Sequence, residues 1–173
     1  HMCGIVGLYL KNPKLQSKLG AMFKPMIIEM TNRGPDSAGV AIYRNPVKKA
    51  EVKFSLAHDD PAYNWKGVDT GLEKALKCDA KIKVIGNHCI LVTTAKEDKV
   101  VHWLKKTHPQ VRVVGSGHTI EIFKETGLPE TVYQKFDLSK SSGTHISGHT
   151  RMATESAVTT AGSHPFATGA DLC

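Results

Sequence analysis

The chain opens on Cys3-Gly4-Ile5-Val6-Gly7, a thiol at the entrance of an apolar strand. A cysteine so near the N-terminus is rarely placed there for packing. His1-Met2 reads as an expression scar plus an initiator Met and is set aside from fold reasoning. Once the methionine is removed, Cys3 becomes the first residue and carries a free α-amino group beside its thiol. That amine titrates at about 7.7–8.0, so near neutral pH it is a built-in general base for the thiol. While residues 1–2 stay attached, Cys3 has an amide nitrogen and lacks that base.

With 173 residues the chain suits one domain, or one domain carrying a large insertion. A hydrophobic content of 40% with 23% charged residues describes an ordinary soluble protein. No stretch approaches the roughly 18 apolar residues of a membrane span, and no signal peptide precedes Cys3. The four cysteines, at 3, 78, 89 and 173, show neither a CxxC pair nor zinc spacing. They read as thiols of a reducing cytoplasm, and no metal site is expected. The formal charge of +7 invites a nucleic-acid reading. Against it, Lys11, Lys14, Lys18, Lys24, Lys48, Lys49 and Lys53 are scattered, without interleaved aromatics or a recognition motif. A solvated basic surface, or a patch facing an acidic partner subunit, accounts for the charge.

Gly4–Leu10 reads as a buried strand that Asn12-Pro13 breaks. Leu15, Leu19, Met22, Met26, Ile27 and Met30 follow at helical spacing, with Pro25 expected to kink or divide the helix. The polar turn Thr31–Gly39 delivers a second strand, Val40–Tyr43. From 44 to 145 the texture changes. Strands are expected at Glu51–Ala57, Lys81–Ile85, Cys89–Thr94, Val111–Val114 and Thr119–Phe123, and helices at Gly67–Cys78 and Lys99–Thr107. This alternation suggests an inserted α/β subdomain, with ferredoxin-like topology as one option. Gly115-Ser116-Gly117 lacks the third glycine and the downstream acid of a dinucleotide site and reads as a turn. Trp65, Trp103 and Lys105-Lys106 form either a docking face or the subdomain's core and solvated rim. Ser147–Thr154 is a further strand, a fragment follows at Gly162–Phe166, and Asp171-Leu172-Cys173 looks like the middle of another strand.

Four elements stand in order: Cys3-Gly4-Ile5-Val6-Gly7, Arg33-Gly34-Pro35-Asp36-Ser37-Ala38-Gly39, Gly148-His149-Thr150-Arg151-Met152-Ala153-Thr154, and Ser163-His164-Pro165-Phe166. Together they resemble the class II glutamine amidotransferases, whose glutaminase domains are N-terminal-nucleophile hydrolases. The resemblance covers about residues 2–43 and 146–172. The run Glu121–Pro129 looks like the stand-alone amidotransferase subunits of glutamate-synthase-like enzymes, including those assigned to N-methylglutamate synthase.

The resemblance implies an α+β fold, the four-layer αββα sandwich of these hydrolases. It would be present in part and truncated at its C-terminus, with core segments 3–43 and 146–173 and an insertion at 44–145. It also implies that Cys3 attacks the carboxamide of glutamine, giving a thioester and ammonia, and that Arg151 clamps the substrate α-carboxylate. A structural salt bridge is the alternative for Arg151. Thr154 would form a hydrogen-bonding wall of the same pocket. Arg33 and Asp36 would lie in a loop beside the nucleophile, or else form a loop-stabilising ion pair. His164 lies in the family's His-Pro turn, where it contacts substrate or is a structural histidine. His149 reads as strand packing, and Cys78, Cys89 and Cys173 as bystanders.

One departure stands out. The Asn-Gly pair that forms the family's oxyanion hole, and the later acid that binds the substrate amine, are absent. One lost oxyanion donor alone costs about 10²–10³ in turnover. The native chain is therefore expected to continue past Cys173, and the 173-residue chain alone to be inactive or nearly so. The function implied is that of a cytoplasmic glutaminase subunit, without cofactor, membrane or nucleic acid. It would pass ammonia to a glutamate-synthase-like partner in a hetero-oligomer. Alternatives are a subunit of N-methylglutamate synthase using a related γ-glutamyl step, and a non-catalytic assembly module.

Overall fold

The structure is a computed structural model that describes residues 3–153, 158–161 and 163–173. Among them the chain runs β1 (Gly4–Tyr9), α1 (Leu19–Ile28), β2 (Ser37–Tyr43), β3 (Val52–Ala57), α2 (Val68–Leu76), β4 (Ala80–Ile85), β5 (His88–Thr93), α3 (Glu97–Thr107), β6 (Arg112–Gly117), β7 (Ile120–Thr126), α4 (Pro129–Lys135) and β8 (His145–Arg151). This is an α+β chain with two antiparallel four-stranded sheets. It divides into two compact units, His1–Asn45 with Ile122–Phe166 and Cys173, and Pro46–Glu121 with Ala167–Leu172.

The first unit is built on the sheet β1-β8-β2-β7. Gly4 pairs with Thr150 and Tyr9 with His145, while Ser37 pairs with Arg151 and Tyr43 with His145. Residues directly opposite each other share a face. One face therefore carries Val6, Val40, Ile42 and Ile146, and α1 covers it with Phe23 and Ile27, both fully buried. The hydroxyl of Thr150 donates to Met30 O at 3.2 Å, fixing the end of the helix against β8. Asn12 caps a short 3-10 turn, Pro13–Lys18, through Lys14 N–H, and α1 begins after it. The chain divides at Lys18 rather than at Pro25. Pro25 sits inside α1, and the helix continues through it to Ile28.

α4 was not expected from the sequence. It is only seven residues long, too short to show a periodic apolar stripe, and it starts on Pro129, a residue suited to the first helical turn. Its Tyr133 is fully buried and donates to Gly20 O at 2.6 Å, which ties it to α1.

The second unit follows the order β3-α2-β4-β5-α3-β6, with sheet order β4-β5-β3-β6 and antiparallel pairing throughout. That is the split β-α-β order of ferredoxin-like units. Phe54 and Leu56 of β3, Cys89 and Leu91 of β5, Leu72 of α2, and Val100 and Leu104 of α3 form its core. Trp65 is buried in that core and Trp103 packs partly buried against it. Lys105 and Lys106 are exposed in the last turn of α3, where positive charge complements the helix dipole. Core and solvated rim is thus the observed arrangement of these residues. A buried ion pair, Lys53 Nζ to Glu121 Oε2 at 3.0 Å, lies in the same unit.

The segment read as a strand at Asp171-Leu172-Cys173 instead begins in a tight turn, Gly169–Leu172, with Asp171 at φ 54° and a single bridge between Gly169 and Leu172. The Asp171 carboxylate accepts N–H bonds from His118, Thr119 and Ile120 at 2.8, 2.7 and 3.0 Å. These long-range bonds to one side chain override the apolar signal of Leu172 and Cys173. No helix among the described residues is long and apolar enough to cross a membrane.

Candidate active site

Strand register brings two of the expected site residues to one place. Cys3 stands one residue before Gly4 and Arg151 one residue after Thr150, and Gly4 and Thr150 are partners in the β1–β8 ladder. Ser37 is the partner of Arg151 on the β2 side, and Gly39 that of His149. Arg151, His149, Ser37 and Gly39 therefore share the face turned away from α1, where Ile5 and Tyr9 are exposed. Cys3 is exposed at the entrance of β1. Cys89 offers no rival nucleophile, because burial, with the charge of Asp69, pushes its thiol up to about 12. Cys78 is half-buried and its sulfur accepts a bond from the Thr93 hydroxyl at 3.4 Å.

The loop from Arg33 to Gly39 grips the end of β8. Pro35 bridges to Arg151, and Asp36 N–H donates to Arg151 O at 3.1 Å. Ala153 N–H donates in turn to Asp36 Oδ2 at 2.8 Å. A Cβ on Gly34 would stand 2.3 Å from Arg151 N, so the approach requires glycine. Arg33 is exposed at the end of the 3-10 turn Thr31–Arg33, and the Asp36 carboxylate engages Ala153. The loop's visible work is to fix the backbone from Arg151 to Ala153. Thr154 lies outside the described residues.

His164 belongs to a turn with a cis His164–Pro165 peptide bond. Its carbonyl oxygen occupies the point where a Gly39 side chain would start, and its exposed ring stacks on His149 at 4.3 Å and 22°. The turn therefore lies on the same face as Arg151. Burial, then the charges of Lys124 and Arg151, hold His164 below the usual histidine range. Burial, with the charges of His164 and Arg151, lowers His149 to about 4. Both rings are neutral at pH 7. His149 Nδ1 and Ser37 Oγ are buried without a hydrogen-bond partner. Both residues lie on the face that carries Arg151, and unpartnered buried polar atoms mark a place for a polar ligand or water.

Lys124 and Glu125 of β7 were not among the expected site residues. Lys124 Nζ donates to Ser163 O at 3.0 Å and Pro165 O at 3.4 Å. Glu125 Oε1 accepts from the Thr160 hydroxyl at 2.7 Å. The available signal was a lysine and a glutamate directly after the apolar pair Ile122-Phe123 in a strand. No group of three His, Cys, Asp or Glu among the described residues is arranged to hold a metal ion. The face thus presents an exposed thiol, a guanidinium and two neutral imidazoles. That set suits a small molecule carrying both a carboxylate and an electrophilic carbon.

No family model matches the chain. It is 43% identical over 173 residues to "Glutamine amidotransferase-like protein GlxB" of Rhizobium meliloti (strain 1021), covering 99% of this chain and 57% of that protein. It is 32% identical over 173 residues to a protein of Methanothermobacter thermautotrophicus named "Putative glutamine amidotransferase", covering 95% of this chain and 56% of that one. The chain spans about half the length of these curated relatives. Their names and these identities support a glutamine amidotransferase family for the chain.

Proposed function

We propose that the chain carries the nucleophile and carboxylate clamp of a class II glutaminase, on an N-terminal-nucleophile hydrolase core. The observation that supports it is the register of β1 and β8, which sets Cys3 and Arg151 at the same end of neighbouring strands. With Cys3 as the first residue, its amine takes the thiol proton. The thiolate adds to the side-chain carboxamide carbon of glutamine. The C–N bond then breaks, the ammonium returns the proton to the departing nitrogen, and ammonia leaves a γ-glutamyl thioester. Water adds to the thioester carbonyl, the thiolate departs, and glutamate is released.

Arg151 pairs with the α-carboxylate through two parallel N–H bonds, which fixes the carboxamide relative to Cys3. Asp36 and Arg33 act through the loop that holds Arg151 in place, and Thr154 completes the pocket wall. His164 lines the site as a neutral ring. Ammonia passes to a glutamate-synthase-like partner in a cytoplasmic hetero-oligomer, and no cofactor takes part in the hydrolysis.

Replacing Cys3 by Ala in the full-length protein with its partner tests this. Glutamine-dependent product formation is expected to vanish while ammonia-dependent formation remains. Retention of both activities would favour an assembly module. A complex that prefers methylamine as acceptor would favour the N-methylglutamate reading.

A further inference from the structure

We propose that Lys124 is a positioning residue, its ammonium bridging the carbonyls on either side of His164 and so fixing where His164 stands over the face that carries Arg151. The inference rests on the function proposed above for its meaning in turnover, but the geometry stands by itself. Lys124 is 5% exposed on β7. A buried ammonium is costly unless its donors are used, and here they are. Nζ donates to Ser163 O at 3.0 Å and to Pro165 O at 3.4 Å, and it stands 4.4 Å above the ring of Phe166. The two hydrogen bonds fall on the residues directly before and after His164, and the ring contact on the next residue, Phe166.

The opposite side of the turn is closed as tightly. His164 O fills the space left by the missing side chain of Gly39, and Phe166 meets the His164 ring edge-on at 4.5 Å. Held at its backbone by Lys124 and Gly39, the ring lies flat against His149. The charged and titratable groups facing it are Lys124 from β7, and His149 and Arg151 from β8. All of these are cationic or neutral, so the same lysine that holds the turn also disfavours a proton on His164. A purely structural lysine would matter for stability alone. A positioning lysine also sets the ring's contact and charge.

The test is NMR of the histidine ring C–H groups in the full-length protein, with Lys124→Met, and with His164→Asn for assignment. In Lys124→Met the His164 titration midpoint is expected to rise, and the His149–His164 ring cross-peaks to be lost. The ring of His88, in the second unit, is expected to keep its signals. Unchanged His164 midpoint and cross-peaks in folded Lys124→Met would overturn the proposal. Should that variant not fold, Lys124→Gln, which keeps a donor but no charge, is expected to raise the His164 midpoint, and an unchanged midpoint there would overturn the proposal.

In the full-length protein with a free Cys3 amine, Lys124→Met is further expected to slow labelling of Cys3 by a glutamine-mimicking diazo-ketone about tenfold. Labelling of the parent protein with no response of the His164 ring would sink the clamp and leave the glutaminase reading intact. A ring response in a protein that is never labelled would do the reverse.

Discussion

His164 O stands 1.8 Å from the point where a side chain on Gly39 would begin, so strand β2 and the His-Pro turn meet at a distance that admits no methyl group. The contact is with backbone, which cannot swing aside as a side chain would. Gly39→Ala is therefore expected to push the turn outward and to cost about 1–3 kcal/mol of stability. Urea unfolding of the variant checks this. A midpoint equal to that of the parent chain would contradict the close approach.

Arg151 is predicted to act through paired bonds as well as charge. Protection of Cys3 by glutamine against a diazo-ketone should weaken about tenfold in Arg151→Lys and about a hundredfold in Arg151→Gln. These factors follow from about 1.5–3 kcal/mol for bonds to a charged group. Equal protection in both variants and the parent would remove Arg151 from the site.

Glu125 predicts an acid-sensitive hold on the segment after β8. Burial alone would raise its pKa. Bonds from Lys135, Thr160 and Thr126 outweigh that and lower it to about 2. In the unfolded chain the group titrates near 4.3. Its contribution is therefore complete above about pH 4.3 and lost as pH falls toward 2. Glu125→Gln should be less stable than the parent at pH 6, and the gap should narrow below about pH 4.3 and close only as pH reaches about 2. Unfolding midpoints across that window decide the matter, and a gap that persists at low pH would count against the account.

His149 acts in a higher window. Its folded value of about 4 lies below the ordinary 6.5, because burial and the nearby charges of His164 and Arg151 disfavour the proton. The contribution is present above about pH 6.5 and lost as pH falls toward 4. His149→Phe keeps a ring on His164 without a titrating group. Its stability should be flatter between pH 6.5 and 4 than the parent's, and a parallel decline would show that His149 does not titrate in this way.

Much of the fold was legible where apolar alternation was strong. β1 begins at Gly4 as read, and the strands around Phe54, Ile82 and Leu91 fall within a residue or so of the expected bounds. Leu72 and Val100 mark buried helix faces in the second unit, as their spacing implied. Three features were hidden. The short α4 has no room for a full stripe. Pro25 signals a break that the packing of Phe23 and Ile27 against β8 overrides. The turn at Asp171 depends on three N–H groups more than fifty residues earlier in the chain, contacts no local pattern reveals. Cys3 and Arg151 were named from their runs, and the β1–β8 register sets them at the same end of neighbouring strands. The clamp by Lys124 was not legible, because it arises only when β7 is laid beside β2.

The central claim is that Cys3 is the nucleophile of a glutamine pocket. The most direct measurement is intact-mass and peptide mapping of the full-length protein, with a free Cys3 amine, after exposure to a glutamine-mimicking diazo-ketone. The account predicts one adduct, on Cys3, suppressed by excess glutamine and absent while residues 1–2 remain attached. A folded, correctly processed protein with no adduct on Cys3, or with one that glutamine does not suppress, would contradict it.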